Sequence, residues 1–154
     1  MIKRKNVYFM NKKEFEEMIQ TVKNKNPRIF GLNSDCKPTA EDIELLEKYY
    51  NIAFPRSYKE FLLQYGGGYF VYTVVYSLDI QSPFYIKNNV SLKFVKDNNI
   101  FPIIDFETGD LAGFKVNNGI CEDIIILYSH EEKILSDTNL NFYDALGKYG
   151  LKFI

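Results

Sequence analysis

TAEDIELLEKYYNIAFPRSYKEFLLQYGGG, residues 39–68, encodes two helices and the bend that joins them. Thr39 is a good N-cap and Asp42 stands three residues on, the arrangement of a capping box that satisfies free backbone N–H groups at a helix start. Ile43, Leu46 and Tyr50 follow at about helical spacing and define one apolar face. Pro55 has no N–H to donate, so it suits the first turn of a second helix and not its interior. Tyr58, Phe61, Leu62 and Tyr65 then recur at i, i+3, i+4 and i+7. Gly66, Gly67 and Gly68 stop that helix, because glycine enters left-handed backbone without a Cβ penalty. The same glycines do not make a phosphate loop: no Gly-Lys-Ser/Thr follows, and they end a helix where phosphate loops begin one.

Upstream, Asn11 to Lys25 predicts a first helix, capped by Asn11 with Glu14 three residues later and carrying Phe15, Met18, Ile19 and Val22 on one face. Residues 24–38 are polar and broken by Pro27, Gly31 and Pro38, which predicts a long loop, a segment type that is usually either functional or mobile. Downstream, Tyr69 to Leu78 has the Tyr, Val, Phe and Thr content of a strand. Residues 82–98 read either as a helix or as an alternating strand, and a short, irregular helix is the reading taken. Ile100 to Phe106 predicts a strand, Glu107 to Asp110 a turn, and Ala112, Phe114 and Val116 a half-buried strand. Asn117-Asn118-Gly119 is a hairpin turn signal. Ile124 to Tyr128 predicts a short buried strand, Ile134-Leu135 a last one. Asn141 caps a closing helix with Phe142, Ala145, Leu146 and Tyr149. Helices, then strands, then a helix predict an α+β fold: N-terminal helices packed on one side of a mostly antiparallel sheet, with a closing C-terminal helix.

At 154 residues and 46% apolar content the chain fits one domain over its whole length and can build a core. Charge is uneven. Residues 1–40 hold nine Lys or Arg against four Asp or Glu, and residues 41–154 hold ten against sixteen. An acidic body argues against a phosphate backbone as partner and suits a basic protein. Cys36 and Cys121 have no metal-ligand spacing, and so few cysteines suit a reducing cytoplasm. Met1 to Lys5 is basic but no apolar run follows, which predicts no signal peptide, and Ile124 to Tyr128 is too short to cross a bilayer.

No residue pattern points to catalysis, a cofactor or a metal. From Asp105, a Ca²⁺ loop would need Gly at its sixth place and Glu at its twelfth, where Asp110 and Val116 stand. His130 is the single histidine and has no nucleophile motif or ligand spacing beside it.

The run Glu47, Ile52, Phe54, Pro55, Tyr58, Lys59, Phe61, Leu62, Gly66, Gly67 resembles the signature of the SUKH superfamily. Phe101-Pro102-Ile103-Ile104 with Thr108-Gly109-Asp110, and Asn141 to Leu146, resemble that family's later strand, turn and final helix. The resemblance spans about residues 39–146. It implies an immunity protein that binds and neutralises a cognate LXG-type polymorphic toxin, a nuclease, by non-covalent occlusion. A regulatory protein-binding scaffold, as in the family's cell-wall branch, is the alternative, and a small-molecule enzyme a third. Nuclease toxins present basic clefts, so the expected partner-binding residues are the carboxylates Asp105, Glu107, Asp110, Glu122, Asp123, Glu131 and Glu132, gathered at related strand ends. Tyr69 and Tyr72 are the expected aromatic anchors beside them.

Overall fold

A computed structural model describes residues 9–30 and 34–152. The two helices of the opening stretch form as written. Helix α1 runs Lys12–Lys25, α2 Ala40–Tyr50 and α3 Arg56–Tyr65. Asn11 with Glu14, and Thr39 with Asp42, each make both hydrogen bonds of a capping box. Pro55 sits one place earlier than expected, at the N-cap of α3, in extended backbone. Glu47 joins the two helices: its Oε2 accepts from the Phe54 N–H at 2.7 Å and pairs with Lys59 Nζ at 3.3 Å.

Gly66 ends α3 at φ 85°, and a Cβ there would stand 2.3 Å from the Asp35 carbonyl oxygen. That close approach docks the residues before α2. The Asp35 N–H donates to the Gly67 carbonyl, Ser77 Oγ donates to Asp35 Oδ2, and the Cys36 N–H donates to Asp79 Oδ2. The long loop expected over residues 24–38 is therefore in part ordered. Lys25 closes α1, Pro27–Phe30 form a 3-10 turn, residues 34–38 are strapped down, and residues 31–33 lie outside the described residues, as does Met1–Lys5.

The sheet is an antiparallel meander of six strands in chain order: β1 Gly68–Phe70, β2 Thr73–Val75, β3 Ile100–Asp105, β4 Leu111–Asn117, β5 Ile120–Ser129 and β6 Ile134–Asp137. The single strand expected over Tyr69 to Leu78 is instead a tight hairpin, with Val71 and Tyr72 as its two-residue turn. β-Propensity reads Tyr-Phe-Val-Tyr-Thr-Val-Val as continuous, because the turn contains neither Gly nor Pro. Strand β5 is twice the expected length, since its polar Glu122 and Asp123 lie inside it. Asn118 and Gly119 form the β4–β5 turn at φ 50° and 77°. Residues 82–98 form two short helices, α4 Ile86–Asn89 and α5 Leu92–Asn98. Helix α6, Phe142–Ala145, is capped by Asn141 and continues as a π turn over Leu146–Gly150.

The core lies between α1, α3 and α6 and one face of the sheet. Tyr58 and Phe142 pack on Phe114, Phe61 packs on Phe142, and Phe15 packs on Tyr143 and Phe70. Each such fully buried side chain contributes about 1.5–3 kcal/mol of transfer free energy. The sheet is not covered on one side alone. Phe84 stacks edge-on against Tyr69 and Phe94 against Tyr128. The register puts Tyr69 and Tyr128 on the face opposite Phe114, so the segment carrying α4 and α5 covers part of that second face. No helix among the described residues is long and apolar enough to cross a membrane.

Candidate functional site

A meander sends alternate turns to opposite ends of the sheet. The β1–β2, β3–β4 and β5–β6 turns share one end, and the β4–β5 turn lies at the other. The expected site residues divide accordingly. Tyr69, Tyr72, Asp105, Glu107, Asp110, Glu131 and Glu132 are brought to the three-turn end. Glu122 and Asp123 are not: they sit beside the β4–β5 turn, about 20 Å of strand away at 3.3 Å per residue.

The three-turn end is tied together by its own side chains. Tyr69 is 44% exposed and its hydroxyl donates to Glu107 Oε2 at 3.2 Å. The Glu107 carboxylate pushes the Tyr69 phenol pKa upward. Tyr72, 58% exposed, is at the hairpin tip, and its N–H donates to the Gly150 carbonyl, which fixes the tip to the C-terminal turn. Val71 beside it has φ 58°. Positive φ is costly for a β-branched residue, roughly 1–3 kcal/mol, and residues held this way cluster at functional sites.

Asp105 and Asp110 work inside the turns. Asp105 Oδ1 accepts from the Glu107 N–H and Oδ2 from the Tyr76 hydroxyl, both at less than 3 Å. Burial and that carboxylate together raise the Tyr76 phenol pKa. Asp110 Oδ1 accepts from the His130 N–H at 2.9 Å. Gly109 packs on the His130 ring, where an added Cβ would meet the ring at 3.0 Å. His130 is thus an exposed residue that seats one turn on the next. Glu107, Glu131 and Glu132 are the exposed carboxylates of this end.

A hydrogen-bond line runs from the signature helix to this surface. The Tyr58 hydroxyl donates to the Tyr76 carbonyl at 2.8 Å, the Tyr76 hydroxyl donates to Asp105, and Asp105 holds the Glu107 N–H. The signature tyrosine therefore positions the β3–β4 turn through two intermediates.

Asp123 has a different job. Its Oδ1 accepts from the Phe142 N–H at the start of α6, and its Oδ2 accepts from Ser57 Oγ in α3. It faces the helices, and burial raises its carboxyl pKa in spite of those two donors. A two-residue bulge makes this reach: Phe114 pairs with Ile125 and Lys115 with Glu122, which leaves Asp123 and Ile124 extra in β5. Glu122 lies across from Lys115.

Several contributors carry little local sequence signal. Phe84 braces Tyr69 from 15 residues downstream, and Tyr76 relays between α3 and the turn. Only the strand alternation around Val74 and Val75 separates Tyr76 from its neighbours. Among the described residues, no group of three or more His, Cys, Asp or Glu side chains is placed to hold a metal ion.

No curated protein matches the chain in sequence. The family model of the SMI1-KNR4 cell-wall group, SUKH_6, matches residues 40–144, from the first residue of α2 to α6. That span contains the two-helix signature, the whole meander and the capped start of α6, and the chain belongs to this SMI1-KNR4 family of the SUKH superfamily.

Proposed function

We propose that this chain is an immunity protein of the cytoplasm that binds a cognate LXG-type polymorphic toxin and neutralises it without catalysis. The toxin's active domain is a nuclease, and inhibition is occlusion of its basic cleft. Family membership supports a protein-binding role, as immunity protein or as SMI1-KNR4-like regulator. The observation that carries the reading further is the three-turn end of the sheet. Exposed Tyr69 and Tyr72 stand there with exposed Glu107, Glu131 and Glu132. Aromatic anchors with a carboxylate rim suit a positively charged protein surface. Asp105 and Asp110 act there as the internal ties of the turns. Glu122 and Asp123 belong to a contact surface only where the toxin also reaches the far end of the sheet.

The test is co-expression of the chain with the toxic domain of an LXG-type toxin encoded beside it. Growth should be restored, and His130→Ala should restore it equally, because the ring has no chemical role. Loss of protection by His130→Ala with an unchanged melting curve and unchanged binding to the toxic domain would overturn the non-catalytic reading. The cell-wall name of the matched family favours a second reading, a regulatory scaffold. Failure of protection together with a stable complex with a cell-wall enzyme would select it.

A further inference from the structure

Asp110 ties the β3–β4 turn to His130 with one carboxylate oxygen. Its Oδ1 accepts from the His130 N–H, and among the described residues no hydrogen bond or ion pair reaches Oδ2. The side chain is partly buried and lines a depression of about 360 Å³ between the C-terminal π turn and strands β4, β5 and β6. Much of that lining is apolar. Phe106 and Leu127 are partly buried against the core, and the Tyr149 ring meets Phe106 at 5.2 Å, close to edge-on. The hydroxyls of Tyr149, Ser129 and Ser136 belong to the same lining, and that of Tyr149 has no hydrogen-bond partner among the described residues.

Charge around the depression is mainly negative. Exposed Glu131 and Glu132 follow Ser129 on the β5–β6 turn, and Asp137 closes β6. Lys148 is close by, but its ammonium stands over the Tyr149 ring, 5.5 Å from the centroid, and makes no ion pair with Asp110. Asp110 thus presents a partly buried, uncompensated carboxylate oxygen beside apolar walls, on the end of the sheet already assigned to the toxin.

We infer that this depression is the specificity pocket of the three-turn end and takes one arginine side chain of the toxic domain. The inference rests on the toxin reading of that surface. The arginine stem lies along Phe106, Leu127 and Tyr149, as long cationic side chains bury their stems on apolar surface and keep the head at polar groups. The guanidinium meets Asp110 Oδ2. Arginine suits the place better than lysine, because its head is more weakly hydrated and its five donors can use a carboxylate oxygen and several hydroxyls together. Arginines seated in well-packed pockets are recurrent binding hot spots. The work then divides by burial: exposed Glu107, Glu131 and Glu132 steer the encounter, and Asp110 slows dissociation.

The experiment has two arms. The first needs no toxin. N-acetyl-arginine amide is titrated into the full chain to about 50 mM at constant ionic strength, a range that covers millimolar affinity, and backbone amide shifts are followed by NMR. Saturable shifts should centre on Leu127, Ser129 and Tyr149. N-acetyl-leucine amide should bind at least about tenfold more weakly, and N-acetyl-lysine amide more weakly than the arginine derivative. Asp110→Asn keeps an oxygen for the His130 N–H, so its melting curve should be unchanged, and it should weaken the arginine derivative at least about tenfold. No saturable shift at these residues, equal binding of the leucine or lysine derivative, or arginine binding indifferent to Asp110→Asn overturns the inference. A depression taken by residues 1–8 of the chain itself would appear as the first of these outcomes. The second arm measures kinetics with the toxic domain. Asp110→Asn should raise the dissociation rate at least about tenfold and leave the association rate within about twofold. A wild type that binds the arginine derivative but not the toxic domain defeats the toxin reading and with it the partner. An unchanged dissociation rate in a complex that does form defeats the pocket alone.

Discussion

Removing one oxygen from Tyr58 tests the link between the signature helix and the candidate site. Tyr58 is fully buried, with Phe54, Phe114 and Phe142 rings 5.2–5.7 Å from its own. Its hydroxyl donates to the Tyr76 carbonyl at 2.8 Å. Tyr58→Phe keeps the ring contacts and leaves that carbonyl without this donor. An unsatisfied buried acceptor costs about 1–3 kcal/mol. For a chain of this length each kcal/mol moves Tm by about 2–4 °C, so a loss of roughly 4–8 °C is expected for a mid-range cost. The assay is calorimetry or thermal circular dichroism, with Tyr72→Phe as an exposed control that should not move. Tyr76 carries the line on to Asp105, so amide exchange at Glu107 should also quicken in Tyr58→Phe. A Tm within about 1 °C of wild type would mean that the Tyr58 hydroxyl contributes nothing at the Tyr76 carbonyl. Lost stability with unchanged exchange at Glu107 would leave the buried hydrogen bond but break its connection to the site.

Asp123 should give an unusual acid limb. Burial raises its carboxyl pKa above the unfolded value, so the unfolded chain releases that proton first. Its favourable contribution is full below the unfolded pKa and is lost as pH rises through the folded one. Asp123→Asn should therefore gain on wild type in urea midpoint between about pH 3 and about pH 7, and a constant difference would mean that the carboxyl titrates normally. Gly66→Ala should cost clearly more than Gly119→Ala. Both have positive φ, worth about 1–2 kcal/mol against a non-glycine residue, but the added Cβ would stand 2.3 Å from the Asp35 carbonyl oxygen at Gly66 and 3.3 Å from the Asn51 carbonyl oxygen at Gly119. Equal midpoints for the two variants in urea would show that the Asp35 strand-side strap yields freely.

Much of this fold can be read in the chain because local chemistry and tertiary structure agree there. Thr39 with Asp42, Asn11 with Glu14 and Asn141 with Asp144 each close a capping box, and Asn118-Gly119 turns where its residues demand. The β1–β2 hairpin is hidden because its turn is Val71-Tyr72, a pair chosen against local preference and held by the Tyr72 bond to Gly150. The extent of β5 is hidden because Asp123 breaks the apolar pattern, and only the approach of α3 and α6 explains a carboxylate there. The candidate site is half legible for a related reason. Alternating turns of a meander can be counted along the chain, which puts Glu107 with Glu131 and Glu132. Whether a carboxylate is spent on its own turn, as Asp105 and Asp110 are, depends on backbone geometry that composition does not carry.

We propose that the three-turn end of the sheet meets a basic toxin surface. The direct measurement is the association rate with the toxic domain, across ionic strength, for wild type and for the combined variant Glu107→Lys, Glu131→Lys, Glu132→Lys. These three carboxylates are exposed, so reversing them leaves the core intact. Steering by complementary charge raises on-rates by roughly 10- to 1,000-fold and is screened by salt. The variant should associate at least tenfold more slowly at low ionic strength, and the two rates should converge as salt is raised. An on-rate equal to that of wild type at low salt, in a variant with a wild-type melting curve, would contradict the claim and move the interface away from this end of the sheet.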